Sequence, residues 1–138
     1  MKTTKEYLKD LVYKVNGAAI EVHKSLGPGL LESVYHKCLN YELSQNGIYF
    51  QSELKICVNY KEVDLDTNLR CDFLIDDCLV VELKAIETIL PVHEAQILTY
   101  MKLLKAPMGL MINFNCTHIY KEGQKTYVNE MYRNLSET

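Results

Sequence analysis

The sequence predicts an α/β fold, a mixed and largely antiparallel β-sheet flanked by helices. Three observations carry this. Apolar residues recur at helical spacing through the first forty-five positions, and the middle of the chain alternates apolar and polar residues at strand spacing. Near the end, a proline-led helix joins two runs of strand character, which calls for a right-handed parallel crossover and so a mixed sheet.

The first helix is expected over residues 4–25. Leu8, Leu11, Val12, Val15, Ala18, Ala19 and Val22 form its stripe, Thr3 or Thr4 its N-cap. Gly17 weakens its middle and is expected to mark close packing against a neighbour. His23, near its end, is expected to meet the free carbonyls there. Gly27-Pro28-Gly29 stops this helix, and a second runs over residues 30–45 to Asn46-Gly47. Residues 48–60 read as one long strand, because Leu54, Ile56, Val58 and Tyr60 alternate with polar residues. Lys61-Glu62 turns into a short strand over 63–65, and Asp66-Thr67-Asn68 turns again.

The central stretch follows, Leu69-Arg70-Cys71-Asp72-Phe73-Leu74-Ile75 and Leu79-Val80-Val81-Glu82-Leu83-Lys84 around Asp76-Asp77-Cys78. It reads as a β-hairpin interrupted by charges that cost free energy unless paired or metal-bound. Side chains alternate faces, so Glu82 and Lys84 share a face with Val80, and Leu79, Val81 and Leu83 take the other. A three-residue turn pairs Ile75 with Leu79 and sets Asp72 opposite Glu82; a two-residue turn would put Asp72 on the wrong face. Carboxylates that close repel unless a divalent cation lies between them or one is protonated. An all-oxygen site suits Mg²⁺ or Mn²⁺. Lys84 is placed to orient a water or neutralise developing charge. Glu-x-Lys alone is usually a solvated surface pair; the preceding Asp72 and the apolar flanks argue for more. Relief of repulsion predicts that Asp72→Ala abolishes metal binding with no loss of stability.

After this hairpin, Pro91 opens a helix expected to end at Leu104, with Ala95, Leu98, Met101 and either Leu104 or Ile97 facing the core. Gln96 and Tyr100 share a face. Residues 108–114 form a continuous apolar strand of the kind covered on both sides. Residues 117–121 and 125–129 look like a last hairpin around Glu122-Gly123-Gln124.

At 138 residues this is one domain, 1–138. Its 48% apolar and 24% charged composition is that of a globular protein. No apolar run approaches the roughly 20 residues of a membrane span, so no membrane partner is expected. The start of the chain enters interleaved charges rather than a secretory h-region, and a cytoplasmic location follows. Five cysteines without a Cys-x-x-Cys pair are expected to be reduced thiols, not a zinc site. The net charge of −3 argues against sequence-independent coating of nucleic acid. Its distribution is less hostile: residues 1–24 hold five lysines against three acids and residues 100–138 five bases against three acids, whereas residues 50–90 hold four bases against nine acids. A basic rim around an acidic centre is compatible with a phosphodiester substrate.

Asp72 followed by Glu82-x-Lys84 resembles the signature of the PD-(D/E)XK nuclease superfamily. Gly29-Leu30-Leu31-Glu32-Ser33-Val34-Tyr35 resembles the motif of its GxxExxY family, and the similarity runs in order over residues 18–115: the Glu32 helix, the Asp72 strand, Glu82-Leu83-Lys84, the Gln96 helix and Gly109-Leu110 to Asn113-Phe114. The resemblance implies a restriction-endonuclease-like core and a Mg²⁺- or Mn²⁺-dependent nuclease acting on DNA or RNA. It implies Glu32 as a third metal ligand beside Asp72 and Glu82, with the Leu83 carbonyl adding another. It assigns Gln96, and less firmly Tyr100, to positioning the site or the nucleic acid. His93 is not expected to be a ligand. The competing reading is a catalytically silent interaction or regulatory protein of the same fold. Ten tyrosines in a compact fold are compatible with a homodimer.

Overall fold

The computed structural model describes residues 2–138. Helices α1 (Lys5–Leu26) and α2 (Glu32–Gln45) come first. Thr4 caps α1, its hydroxyl accepting the Tyr7 N–H at 3.0 Å. The buried stripe holds the expected Leu8, Leu11, Val15, Ala18, Ala19 and Val22, with Val12 only half-buried and Asn16 buried among them. Two expectations for α1 fail. A Cβ on Gly17 would meet nothing within 4 Å, so this glycine marks no close contact. His23 does meet a carbonyl, but its Nε2 lies 3.0 Å from the Cys116 oxygen, tying the helix end to a distant loop.

The strands are β1 (Phe50–Lys55), β2 (Val58–Tyr60), β3 (Val63–Leu65), β4 (Arg70–Ile75), β5 (Leu79–Lys84), β6 (Met108–Asn113) and β7 (Gln124–Val128); helix α3 (Pro91–Leu104) links β5 to β6, and α4 (Glu130–Arg133) follows β7. One five-stranded sheet has the order β1-β4-β5-β6-β7, with β5 and β6 parallel and the other neighbours antiparallel. Strands β2 and β3 form a separate hairpin. The expected long strand over 48–60 is therefore broken. At the break, the Ile56 N–H still donates to the Leu69 carbonyl at 2.9 Å, in line with the β1–β4 register, but its carbonyl accepts the Thr67 hydroxyl at 2.8 Å in place of a backbone N–H. The expected last hairpin is also absent. Residues Ile119–Gly123 form a π-helical turn, and only the second half is a strand, paired with β6.

The sheet carries a helical layer on each face. Phe73, Ile75, Leu79, Val81, Leu83, Leu110 and Ile112 pack against α1 and α2, and Leu74, Val80 and Met111 pack with α3 on the other side. Helix α3 has the expected bounds, and Met101 and Ile97 face the core as expected, but Ala95 and Leu98 do not. It buries Ile97, Tyr100 and Met101, while Ala95 and Leu98 are exposed. Apolar residues surround this helix, so its periodicity does not choose a side. Gly109 does: a Cβ there would lie 2.8 Å from Met101 Sδ and 3.1 Å from Ile97 Cδ1, so the bare backbone of β6 is the slot those two side chains fill. No helix among the described residues is long and apolar enough to cross a membrane.

Candidate active site

The hairpin turn is the three-residue one. Ile75 pairs with Leu79, Leu74 with Val80 and Phe73 with Val81. The ladder then stops. Where the next rungs belong, side chains take over: the Asp72 N–H donates to Glu82 Oε2 at 2.7 Å, and the Leu83 N–H donates to Asp72 Oδ2 at 2.8 Å. Strand β4 is distorted at the same point. Phe73 and Ile75 face the α1–α2 layer, yet Cys71 packs with Leu74 on the α3 side, against strict alternation. Across from it on β1, Glu53 has φ of 51°, a left-handed conformation, and the rung between Ser52↔Phe73 and Leu54↔Cys71 is skipped while the register stays the same on both sides. The two acids thus sit where β4 and β5 part and one β1–β4 rung is skipped.

Burial decides their electrostatics. Glu82 is 4% exposed. Its pKa is pushed up to about 8, first by desolvation and then by the Asp72 carboxylate, against the Asp72 N–H and Lys84. Asp72 is also raised, chiefly by burial, with the Leu83 N–H, His36 and Lys84 opposing the rise. The pair therefore shares a proton more readily than it holds two charges. Glu32, the first residue of α2, is exposed but close enough to belong to the group: partial desolvation and then Asp72 raise it, while Lys84 and His36 pull it down. Half-buried Lys84 opposes the rise of all three acids and forms no ion pair among the described residues.

Helix α3 covers the α3-side face of this site. Tyr100 is buried, and its phenol is raised by burial and then by Glu82; the Gln96 side chain lies against its hydroxyl. Gln96 makes no hydrogen bond to either acid among the described residues. His93 Nδ1 accepts the Leu90 N–H at 2.9 Å, which makes it a helix-end group. Leu83 has its side chain in the core and its N–H on Asp72.

The tyrosine of the Gly-x-x-Glu-x-x-Tyr stretch is structural. Tyr35 is fully buried, stacks on Phe114 at 4.3 Å between centroids, donates to the Gly27 carbonyl at 2.6 Å and accepts the Leu30 N–H at 3.2 Å. It pins the loop that delivers Glu32. Tyr35→Phe is expected to lower stability by about 1–3 kcal/mol, because two loop groups lose their partner; urea denaturation measures it.

Sequence reasoning passes over His36. Its Nε2 lies 3.3 Å from the Asp72 carbonyl, and its ring stacks on Phe73 at 4.4 Å. The signal available was its spacing, four residues after Glu32 and so on the same helix face. A cavity of about 330 Å³ lies beside the site, lined by Glu32, Ser33, His36, Lys37, Glu53 and Asp72.

No group of three or more His, Cys, Asp or Glu among the described residues is gathered as a ready metal cluster. The pair Asp72 and Glu82 nonetheless fits a hard divalent cation. Each commits one oxygen to a backbone N–H and leaves the other without a protein partner. Their burial and mutual repulsion are penalties a cation would relieve.

A five-stranded mixed sheet between helical layers, with this acid pair and a lysine on its central hairpin, is the restriction-endonuclease-like architecture. The chain belongs to the PD-(D/E)XK nuclease superfamily, whose family model matches residues 9–126. No curated protein and no solved structure matches it.

Proposed function

We propose that this domain is a Mg²⁺- or Mn²⁺-dependent nuclease of the GxxExxY branch that hydrolyses phosphodiester bonds of DNA, or alternatively of RNA. One observation carries this: Asp72 and Glu82 meet, desolvated and each with an uncommitted oxygen, at the splayed end of a hairpin with Lys84 beside them. Asp72, Glu82 and the Leu83 carbonyl would hold the cation, with Glu32 joining from the helix. When bound, a divalent cation polarises the phosphoryl oxygen and makes its water a nucleophile at neutral pH. Lys84 orients that water and offsets the charge that develops on phosphorus. Gln96 positions the nucleic acid through the face it shares with Tyr100. The basic ends of the chain support a polyanionic substrate. A cytoplasmic, reducing location accords with five unpaired cysteines.

The other reading, a silent interaction protein, draws on the same hydrogen bonds: each acid already satisfies a backbone N–H, so the pair has a structural use without metal. Calorimetry with Mn²⁺ and Mg²⁺ on the full chain, followed by incubation with single- and double-stranded DNA and RNA, separates them. The enzyme is expected to bind Mn²⁺ and to cut at least one oligonucleotide in a chelator-sensitive way. Absence of binding both with and without oligonucleotide would leave the silent reading.

A further inference from the structure

We propose that His36 is a positioning residue, holding the Asp72 carbonyl through its ring N–H and so fixing the aim of the Asp72 carboxylate. The inference rests on the metal-site reading above. Asp72 is the one residue of β4 paired on neither side: its neighbours Cys71 and Phe73 match β1, and Phe73 also matches β5, but Asp72 is skipped in both ladders. A backbone group left out of a sheet needs another partner. Its N–H finds Glu82, and its carbonyl faces His36 Nε2 at 3.3 Å. A carbonyl only accepts, so Nε2 carries the proton. Ser52 Oγ, 3.5 Å from the same nitrogen, lies at the limit of a shared bond.

The ring is itself held. It stacks on Phe73 with planes 17° apart, and Phe73 is fully buried and edge-on to Phe50. His36 therefore joins a rigid point of the sheet to α2, four residues from Glu32. One side chain sets both the backbone that carries Asp72 and the helix that carries Glu32. No other side chain bridges these two candidate ligands' elements at Asp72 among the described residues.

Long-range ¹H–¹⁵N spectra of the full chain are expected to show His36 protonated at Nε2; protonation at Nδ1 alone overturns the proposal. His36→Ala is expected to weaken Mn²⁺ binding by about 10–100-fold, the range for partners of metal ligands. His36→Gln, whose amide reaches about as far as Nε2, is expected to recover most of that loss and to return the Asp72 and Leu83 amide resonances toward wild type. Equal Mn²⁺ affinity in wild type and His36→Ala overturns the positioning role while leaving the nuclease reading intact. If wild type binds no Mn²⁺ either with or without oligonucleotide, the nuclease reading fails and the amide resonances judge His36 alone: shifts in the alanine variant, reversed by glutamine, support it, and unmoved resonances overturn it.

Discussion

Asp72→Asn is expected to keep the stability and lose the chemistry, whereas Asp72→Ala loses the chemistry and part of the stability. The difference lies in one hydrogen bond. Asp72 Oδ2 accepts the Leu83 N–H at 2.8 Å in a part-buried setting. An asparagine amide oxygen can accept the same bond. It also removes a negative charge beside Glu82, the second largest cause of that residue's raised pKa. The asparagine variant should therefore be as stable as wild type near neutral pH, or more so. Alanine leaves the N–H without a partner, at about 1–3 kcal/mol. This corrects the expectation, drawn from repulsion alone, that alanine would be harmless. Repulsion is real, but the carboxylate also replaces a missing rung of the sheet.

On activity the two variants should agree. A bound metal contributes several kcal/mol to a phosphoryl transition state, so losing a carboxylate that holds it lowers cleavage by about 100–1000-fold at roughly 1.4 kcal/mol per tenfold. Urea denaturation and a metal-dependent cleavage assay on both variants measure the two effects separately. Full cleavage by the asparagine variant would assign Asp72 to structure and remove it from the proposed metal ligands.

The central hairpin was legible because burial and face parity admit only one turn length. Glu82 and Lys84 cannot share a face with Asp72 across a two-residue turn, and Ile75↔Leu79 is the register that results. Helix α3 was legible in extent because Pro91 opens it and Pro107 lies just past its end. Its buried face was not, since the deciding residue is Gly109 on another strand. The break after Lys55 was hidden because Leu54, Ile56 and Val58 keep alternating through it; what ends the ladder is the Thr67 hydroxyl taking the Ile56 carbonyl from eleven residues away. His36 was hidden for the same reason. Its partner, the Asp72 carbonyl, is a backbone atom released by a skipped rung opposite Glu53, and the spacing of His36 from Glu32 shows the shared helix face but not that rung. The acids of the site could be read from types and spacing, but the groups that hold them in place depend on tertiary register.

Stability of the metal-free protein should fall as pH rises from about 4.5 to about 8. The sign follows from Glu82. Its folded pKa, about 8, stands above the ordinary glutamate value of 4.5, because burial and Asp72 disfavour its charge. Between those values the native state holds a proton that the unfolded chain releases, so the slope of unfolding free energy with pH is negative. The stability is fully present below the unfolded pKa and is lost as pH passes through the folded one. Asp72, also raised, adds in the same direction. Glu82→Gln isolates the effect: its amide oxygen can still accept the Asp72 N–H, but it does not titrate, so the wild-type slope minus the variant slope belongs to the pair. A divalent cation should reverse the dependence, because it binds the charged pair and must displace the shared proton. Calorimetry of Mn²⁺ binding near pH 7, in two buffers of different ionisation enthalpy, should report up to one proton released per metal in wild type and fewer in Glu82→Gln. Identical slopes in wild type and variant would mean that the pair is already charged without metal, and the site would then lack the electrostatic debt on which its claim to a cation rests.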